Sequence, residues 1–163
     1  HAALTGHLVY STLHTNSAIA TIARLFDLGL KPYVVATALE GIIAQRLIRQ
    51  ICPLCRVPAT PSADLVSRLG STFNGIGETY RGKGCPSCHN TGYKGRIAMY
   101  EVLSFDDDLR DRIGSGATML EIRRAVREKG LRSMAKHALE RVKDGSTTLE
   151  EIMRVLGPRA GED

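Results

Sequence analysis

His7-Leu8-Val9-Tyr10-Ser11-Thr12-Leu13, preceded by the turn residue Gly6, is apolar on both faces of an extended chain. That pattern predicts a strand buried inside a parallel sheet. The run stops at His14-Thr15-Asn16, and from Ser17 the spacing becomes helical. Ile19, Ile22, Ala23 and Phe26 share one face, Asn16 or Ser17 supplies the N-cap, and Gly29 with Lys31-Pro32 ends the run. Strand, loop and helix in that order predict an α/β fold.

Outward from this unit, Val34, Val35, Ala38, Leu39, Ile42 and Ile43 predict a second helix over 33–45, and residues 46–51 alternate weakly toward a strand that Cys52 ends. Residues 52–95 change character. They hold four of the six prolines, seven of the sixteen glycines and all four cysteines, which predicts a loop-rich insert with one short helix at 63–69. Residues 96–105 read as a strand. Three or four amphipathic helices are expected after it, near 106–113, 118–129, 133–144 and 148–156, punctuated by Gly130, Gly145 and Gly157.

Composition narrows the class. With 43% hydrophobic and 24% charged residues, the 163-residue chain can bury a core and is not a disordered tail. Its longest apolar stretches are broken by Thr37, Glu40 and Gln45, so no run approaches the roughly 20 residues of a membrane span. The start has no initiating Met and no export signal, which reads as a piece cut from a longer chain. The formal net charge is +5, and all of the excess lies in residues 1–105, which carry 10 basic and 5 acidic side chains. Those basic positions are spread along the chain, and three Phe, five Tyr and no Trp offer no stacking platform, so a nucleic-acid partner is not expected.

Cys52-Pro53-Leu54-Cys55 and Cys85-Pro86-Ser87-Cys88 are two C-P-x-C turns separated by 29 residues, each presenting two sulfurs. Zinc takes four thiolates tetrahedrally, so Cys52, Cys55, Cys85 and Cys88 are expected to hold a structural Zn²⁺ with no open position for catalysis. Disulfides would need an oxidising compartment. Cys85-Pro86-Ser87-Cys88-His89 also fits the haem-attachment pattern C-x-x-C-H, which would leave the first pair idle, and His89 is an alternative ligand to a cysteine. A redox pair normally follows a strand in a thioredoxin-like pattern. Gly77-Glu78-Thr79-Tyr80-Arg81-Gly82-Lys83 fits the first seven positions of a phosphate loop, but Gly84 stands where the Mg²⁺-binding hydroxyl belongs; these are read as turn glycines.

His7 and His14 bracket the expected strand, with His14 at the end where open α/β sheets place ligands. Read alone they are histidines bonded at strand ends, and His137, beside Lys136, is expected to be a solvated surface residue. The longer text from Thr5 to Asn16, however, closely resembles the histidine box of the secretion ATPase superfamily. Ala44-Gln45-Arg46-Leu47-Ile48-Arg49 leading to the first cysteine pair, the second pair, and Gly95-Arg96 leading to Tyr100-Glu101-Val102-Leu103 resemble the C-terminal part of type II secretion and type IV pilus assembly ATPases. The retraction ATPases of the superfamily share the histidine box and lack the four cysteines, so the likeness points to the assembly branch.

The resemblance implies the C-terminal portion of a RecA-like nucleotide-binding domain with an inserted tetracysteine zinc module and a helical C-terminal subdomain. Residues 1–51 would be the ATPase-core remnant, 52–95 the zinc insert, 96–157 the closing strand and helices, and 158–163 a tail. It further implies a homo-hexamer in the full-length protein, peripheral to the bacterial inner membrane on the cytoplasmic side and docked on an inner-membrane platform protein. His7 and His14 would sense the phosphate state of ATP. In such ATPases the phosphate loop and the Mg²⁺-holding carboxylate, the Walker A and B residues, precede the histidine box. ATP and Mg²⁺ therefore belong to the full-length protein, and this chain alone is expected to be inactive. The competing reading is a free-standing zinc-ribbon protein that binds nucleic acid or a protein partner.

Overall fold

The computed structural model describes residues 2–161; His1, Glu162 and Asp163, at the ends of the expected core remnant and tail, lie outside the described residues. Seven α-helices and four strands are described: α1 (Ala18–Asp27), α2 (Pro32–Ala38), β1 (Gly41–Ile51), β2 (Arg56–Ala59), α3 (Ala63–Leu69), β3 (Thr79–Gly82), β4 (Tyr93–Ser104), α4 (Asp107–Gly114), α5 (Met119–Glu128), α6 (Met134–Lys143) and α7 (Leu149–Leu156). They form two two-stranded sheets, β1 with β4 and β2 with β3. Two compact units result, one of the chain up to Ala44 with Glu101–Arg132, the other of Gln45–Tyr100 with the chain from Ser133 onward.

Most helices begin where a short polar side chain can satisfy a free amide. Ser17 accepts from the Ala20 N–H, Ser62 from Leu65, Asp106 from Leu109, Ser133 from Lys136 and Thr148 from Glu151, while Thr118 and Glu121 cap each other reciprocally. Each such cap stabilises its helix by about 1 kcal/mol. The expected helices at 63–69 and after residue 106 are found within a residue or two of their predicted ends.

The first unit has a continuous apolar core. Ala18 and Ile22 of α1, Val35 and Ala36 of α2, Ile42, Leu103, Leu109 and Ile113, and Ile122 and Val126 of α5 are all buried in it. Fully burying each large aliphatic side chain stabilises by roughly 1.5–3 kcal/mol. Lys129 closes α5 onto the start of α4 by donating to Asp106 and Asp108, which holds both carboxyls below their usual range.

Two expectations fail in this unit. Residues 7–13 form no strand: Leu8 is 76% and Tyr10 88% exposed. A strand apolar on both faces needs neighbours along both edges, and none of the described strands pairs with it. The helix expected over 33–45 ends at Ala38, and residues from Gly41 onward belong to β1. Apolar pairs at 34/35, 38/39 and 42/43 suit either period; Gly41 and the β-branched Ile42-Ile43 weaken the helix, and pairing with β4, beside which Phe105 donates its N–H to the Glu40 carbonyl, decides for the strand. Gly41 also lies against the Leu103 carbonyl and Gly95 against the Gln50 side chain, so β1 and β4 run in opposite directions.

In the second unit Ile48, Ile51, Leu69, Phe73, Val142 and Ile152 are buried. β2 pairs antiparallel with β3, from Arg56 opposite Gly82 to Ala59 opposite Thr79. The phosphate-loop-like stretch is thus partly strand, and a Cβ at Gly82 would collide with the backbone of Gly92. His137 corrects another expectation. It is 2% exposed, its Nδ1 accepts from the Tyr100 N–H at 3.1 Å, and its ring meets the Tyr100 ring edge-on at 4.5 Å. Its flanking Lys136 points to a surface, but position 137 falls on the inner stripe with Met134 and Ala138. Beyond α7, the Arg159 and Gly161 N–H groups donate to the Arg68 and Leu69 carbonyls at 2.7 Å, binding the end of the chain to α3.

Glu151 is fully buried and anchors α7 to β1. It accepts from the Arg49 N–H at 2.9 Å, from Arg49 Nε at 2.8 Å and from Arg154 Nε at 2.7 Å. Burial pushes its carboxyl up, but the donors from Arg154 and Arg49 outweigh that and bring it from 4.5 to about 2. A depressed native pKa stabilises the fold above the unfolded-state value and is lost as pH falls through the native one. The wild-type chain is therefore expected to lose about 3 kcal/mol from this group between about pH 5 and pH 2, a loss absent from Glu151→Gln. Equal slopes of melting temperature against pH in the two proteins would contradict it.

Candidate metal centre and the histidine segment

Cys52 follows the last residue of β1, Cys55 sits just before β2, and Cys85 caps a single 3₁₀ turn, Pro86–Cys88, that Cys88 ends ahead of β4. Neighbouring strands bring the two turns together. Cys52 donates its N–H to the Gly92 carbonyl at 2.9 Å, and Lys83 donates to the Cys55 carbonyl at 2.9 Å. Gly92, at φ 77°, lets the backbone of the second turn pass directly against Gly82.

The sulfurs converge. Cys52 and Cys85 Sγ are 3.8 Å apart, Cys55 and Cys88 3.9 Å, Cys85 and Cys88 3.7 Å, and all four lie within 4.8 Å of one another. Four thiolates at about 2.3 Å from a central zinc ion have sulfur–sulfur edges of about 3.8 Å, so the donor set fits a tetrahedral metal ion. Backbone amides add to the fit. Burial disfavours a charged sulfur at Cys88, but the Cys85 and Gly92 N–H groups, at 3.2 and 3.3 Å, reverse this and lower its thiol to about 6. Burial raises the Cys55 thiol to about 11, against a backbone donor from Gly84. Of these two sulfurs, Cys88, which holds two amide donors, gives up its proton more readily than Cys55.

The structure places the histidines differently. His7 is exposed, with Nδ1 3.2 Å from Thr5 Oγ1, and no hydrogen bond joins it to His14 among the described residues. His14 is also exposed and lines a shallow cleft of about 400 Å³ with Asn16, Ala20, Arg24, Met119 and Arg123. Thr15 and Thr21 join hydroxyls at 2.7 Å, which ties this loop to the first turns of α1.

Sequence reading missed Glu101. Only 6% exposed, it accepts from the Ala18 N–H at the start of α1, where a carboxylate also meets the positive end of the helix dipole. The signal was present, since Met99, Glu101 and Leu103 share the buried face of β4 and a charge among them requires a partner.

The molecule is an α/β protein in which four thiols converge in the geometry of a metal site. The profile described as Type II/IV secretion system protein matches residues 1–154, and the chain belongs to that family. It is 42% identical over 154 residues to the type IV pilus assembly ATPase PilB of Thermus thermophilus, covering 93% of this chain and 17% of that protein. It is 41% identical over 154 residues to the type II secretion system protein E of Pseudomonas aeruginosa, covering 94% and 30%. A crystal structure of the pilus retraction motor PilT with bound ADP aligns at a TM-score of 0.57 and 25% identity, covering 93% of this chain and 34% of that one. That likeness supports a RecA-like ATPase fold. The chain spans less than a third of the length of these curated relatives.

Cys52, Cys55, Cys85 and Cys88 form one donor set, so removing one thiol should abolish metal binding there. Cys55→Ser or Cys88→Ser is expected to lose bound metal and become protease-sensitive within 52–95, since such a site contributes on the order of 10 kcal/mol to folding; unchanged metal content and melting curve would rule this out. Glu101→Ala is expected to cost about 1–3 kcal/mol and to speed hydrogen exchange at Ala18–Thr21. Unaltered exchange there would remove Glu101 from this role.

Proposed function

We propose that this chain is the C-terminal part of a hexameric ATPase that powers type II protein secretion or type IV pilus assembly. What carries the reading is that four converging thiols sit in a chain about 40% identical to proteins named as a pilus assembly ATPase and as type II secretion system protein E. The ion is zinc, held by Cys52, Cys55, Cys85 and Cys88. It supplies no chemistry to hydrolysis and fixes the ends of the insert at 52–95 against each other, while 1–51 and 96–157 belong to the RecA-like core and its helical subdomain.

His7 and His14 sense the phosphate state of ATP. Exposure and the cleft beside His14 leave its imidazole free to exchange hydrogen bonds with a phosphate or a neighbouring carboxylate. α1 carries that signal onward, because the loop at Thr15 is bonded to Thr21 and the helix start is held by Glu101. The whole motor works on the cytoplasmic side of the inner membrane against a platform protein. No helix among the described residues is long and apolar enough to cross a membrane. ATP and Mg²⁺ are bound with residues preceding this segment in the full-length protein.

In the full-length protein, His14→Ala is expected to reduce ATP turnover by about 10²-fold while nucleotide binding persists. Unchanged turnover would remove His14 from the mechanism. Residues 1–163 alone are expected to show no hydrolysis, and a genuine rate from the purified chain would overturn that division of labour.

A further inference from the structure

The start of α7 grips both strands that flank the thiols. On the β1 side it and the turn before it hold three backbone groups just ahead of Cys52. The Arg49 N–H donates to Glu151 at 2.9 Å, the Arg49 carbonyl accepts from Thr147 Oγ1 at 2.8 Å, and the Ile51 N–H donates to the Ser146 carbonyl at 2.8 Å. On the β4 side the Tyr93 hydroxyl meets Thr148 Oγ1 at 2.7 Å, and the Arg49 guanidinium, which Glu151 holds, lies 4.1 Å over the centre of the Tyr93 ring. Thr148 also caps α7 by accepting from the Glu151 N–H, and Ile51, Thr147, Thr148 and Glu151 are all buried.

Both grips connect to a cysteine turn. Ile51 adjoins Cys52, whose N–H donates to the Gly92 carbonyl at 2.9 Å. Gly92 adjoins Tyr93 and donates its own N–H to Cys88 Sγ at 3.3 Å. Thr91 Oγ1 donates to the Cys88 carbonyl at 2.6 Å and accepts from the Tyr93 N–H at 3.3 Å. One helix start thus holds Cys52 and the second turn in place from both sides. Buried polar groups are costly unless paired, so these bonds close and open together.

We propose that α7 is a metal-responsive clasp: Zn²⁺ held by the four thiols and closure of the α7 start on β1 and β4 strengthen one another, with Arg49, Tyr93, Thr148 and Glu151 as positioning residues for the ion. Tetrahedral ligation needs the two cysteine turns at one fixed separation, which the closed clasp supplies and the open one leaves free. Coupling of this kind is reciprocal. Whatever factor closure adds to the affinity for zinc, zinc adds to the closed population of the clasp. The inference rests on reading Cys52, Cys55, Cys85 and Cys88 as a zinc site.

The test combines two measurements on the purified chain: the Zn²⁺ dissociation constant, by competition with a chromophoric chelator, and amide hydrogen exchange with and without Zn²⁺. Zn²⁺ is expected to slow exchange at 148–152 by at least about tenfold, and that protection should shrink in Tyr93→Phe. Tyr93→Phe, which keeps the ring and removes only the hydroxyl, should weaken Zn²⁺ binding about tenfold, and Thr148→Val likewise. Phe73→Leu, a core substitution whose backbone bonds run to Gly70 and Ile76, should lower the melting temperature and leave the Zn²⁺ affinity unchanged. Exchange at 148–152 unmoved by Zn²⁺, wild-type affinity in Tyr93→Phe, or an equal loss in Phe73→Leu overturns the proposal, the last because affinity would then follow stability alone. A chain that binds Zn²⁺ with both readouts unmoved fails this inference alone, whereas a chain that binds no Zn²⁺ fails the zinc-site reading and this inference with it.

Discussion

β1 and β4 form the ladder on which the convergence of the four thiols depends. Where β1 ends at Cys52 and β4 is about to begin, the Cys52 N–H reaches the Gly92 carbonyl, and the two cysteine turns are held side by side before any ion is considered. Without that pairing, the long loop-rich segment between the strands would have to be ordered by the metal alone, against its full closure entropy. With it, the four thiols are already close enough to form one donor set. The β2–β3 pair does the same at smaller scale, bringing Lys83 to Cys55 and Gly82 against Gly92, a contact that admits no side chain.

Two buried carboxylates serve the units in parallel ways. Glu101 lies on the inner face of β4 and takes the amide at the start of α1; Glu151, in the first turn of α7, takes both the backbone and the guanidinium of Arg49. An unpaired charge in either position would be costly, so each carboxylate ties its helix to a strand distant in sequence. In one unit that fixes the helix following the histidine loop, and in the other it fixes α7 against the strand leading to the four thiols.

The apolar run at 7–13 and the tetracysteine site illustrate opposite outcomes of one rule. Both patterns announce partners. The sulfurs find theirs within the chain, because two tight turns are delivered by adjacent strands. The run Leu8-Val9-Tyr10 finds none among the described residues and stays open to solvent, although its sequence fits an interior strand. Pattern states what an element needs, and only the assembled fold states whether the need is met.

Much was therefore legible in the residues alone. Capping residues and glycine stops placed α1, α3 and the last four helices, because those signals act within one or two turns of chain, and cysteine spacing picked out the four thiols, because a tight turn fixes each pair locally. Tertiary structure decided the rest. It turned 41–45 from helix to strand, since a period readable either way is settled by the partner strand. It buried His137, since the stripe shared with Met134 and Ala138 outweighs its charged neighbours. It gave Glu101 and Glu151 their roles, since a carboxylate's partner can lie a hundred residues away, beyond any local signal.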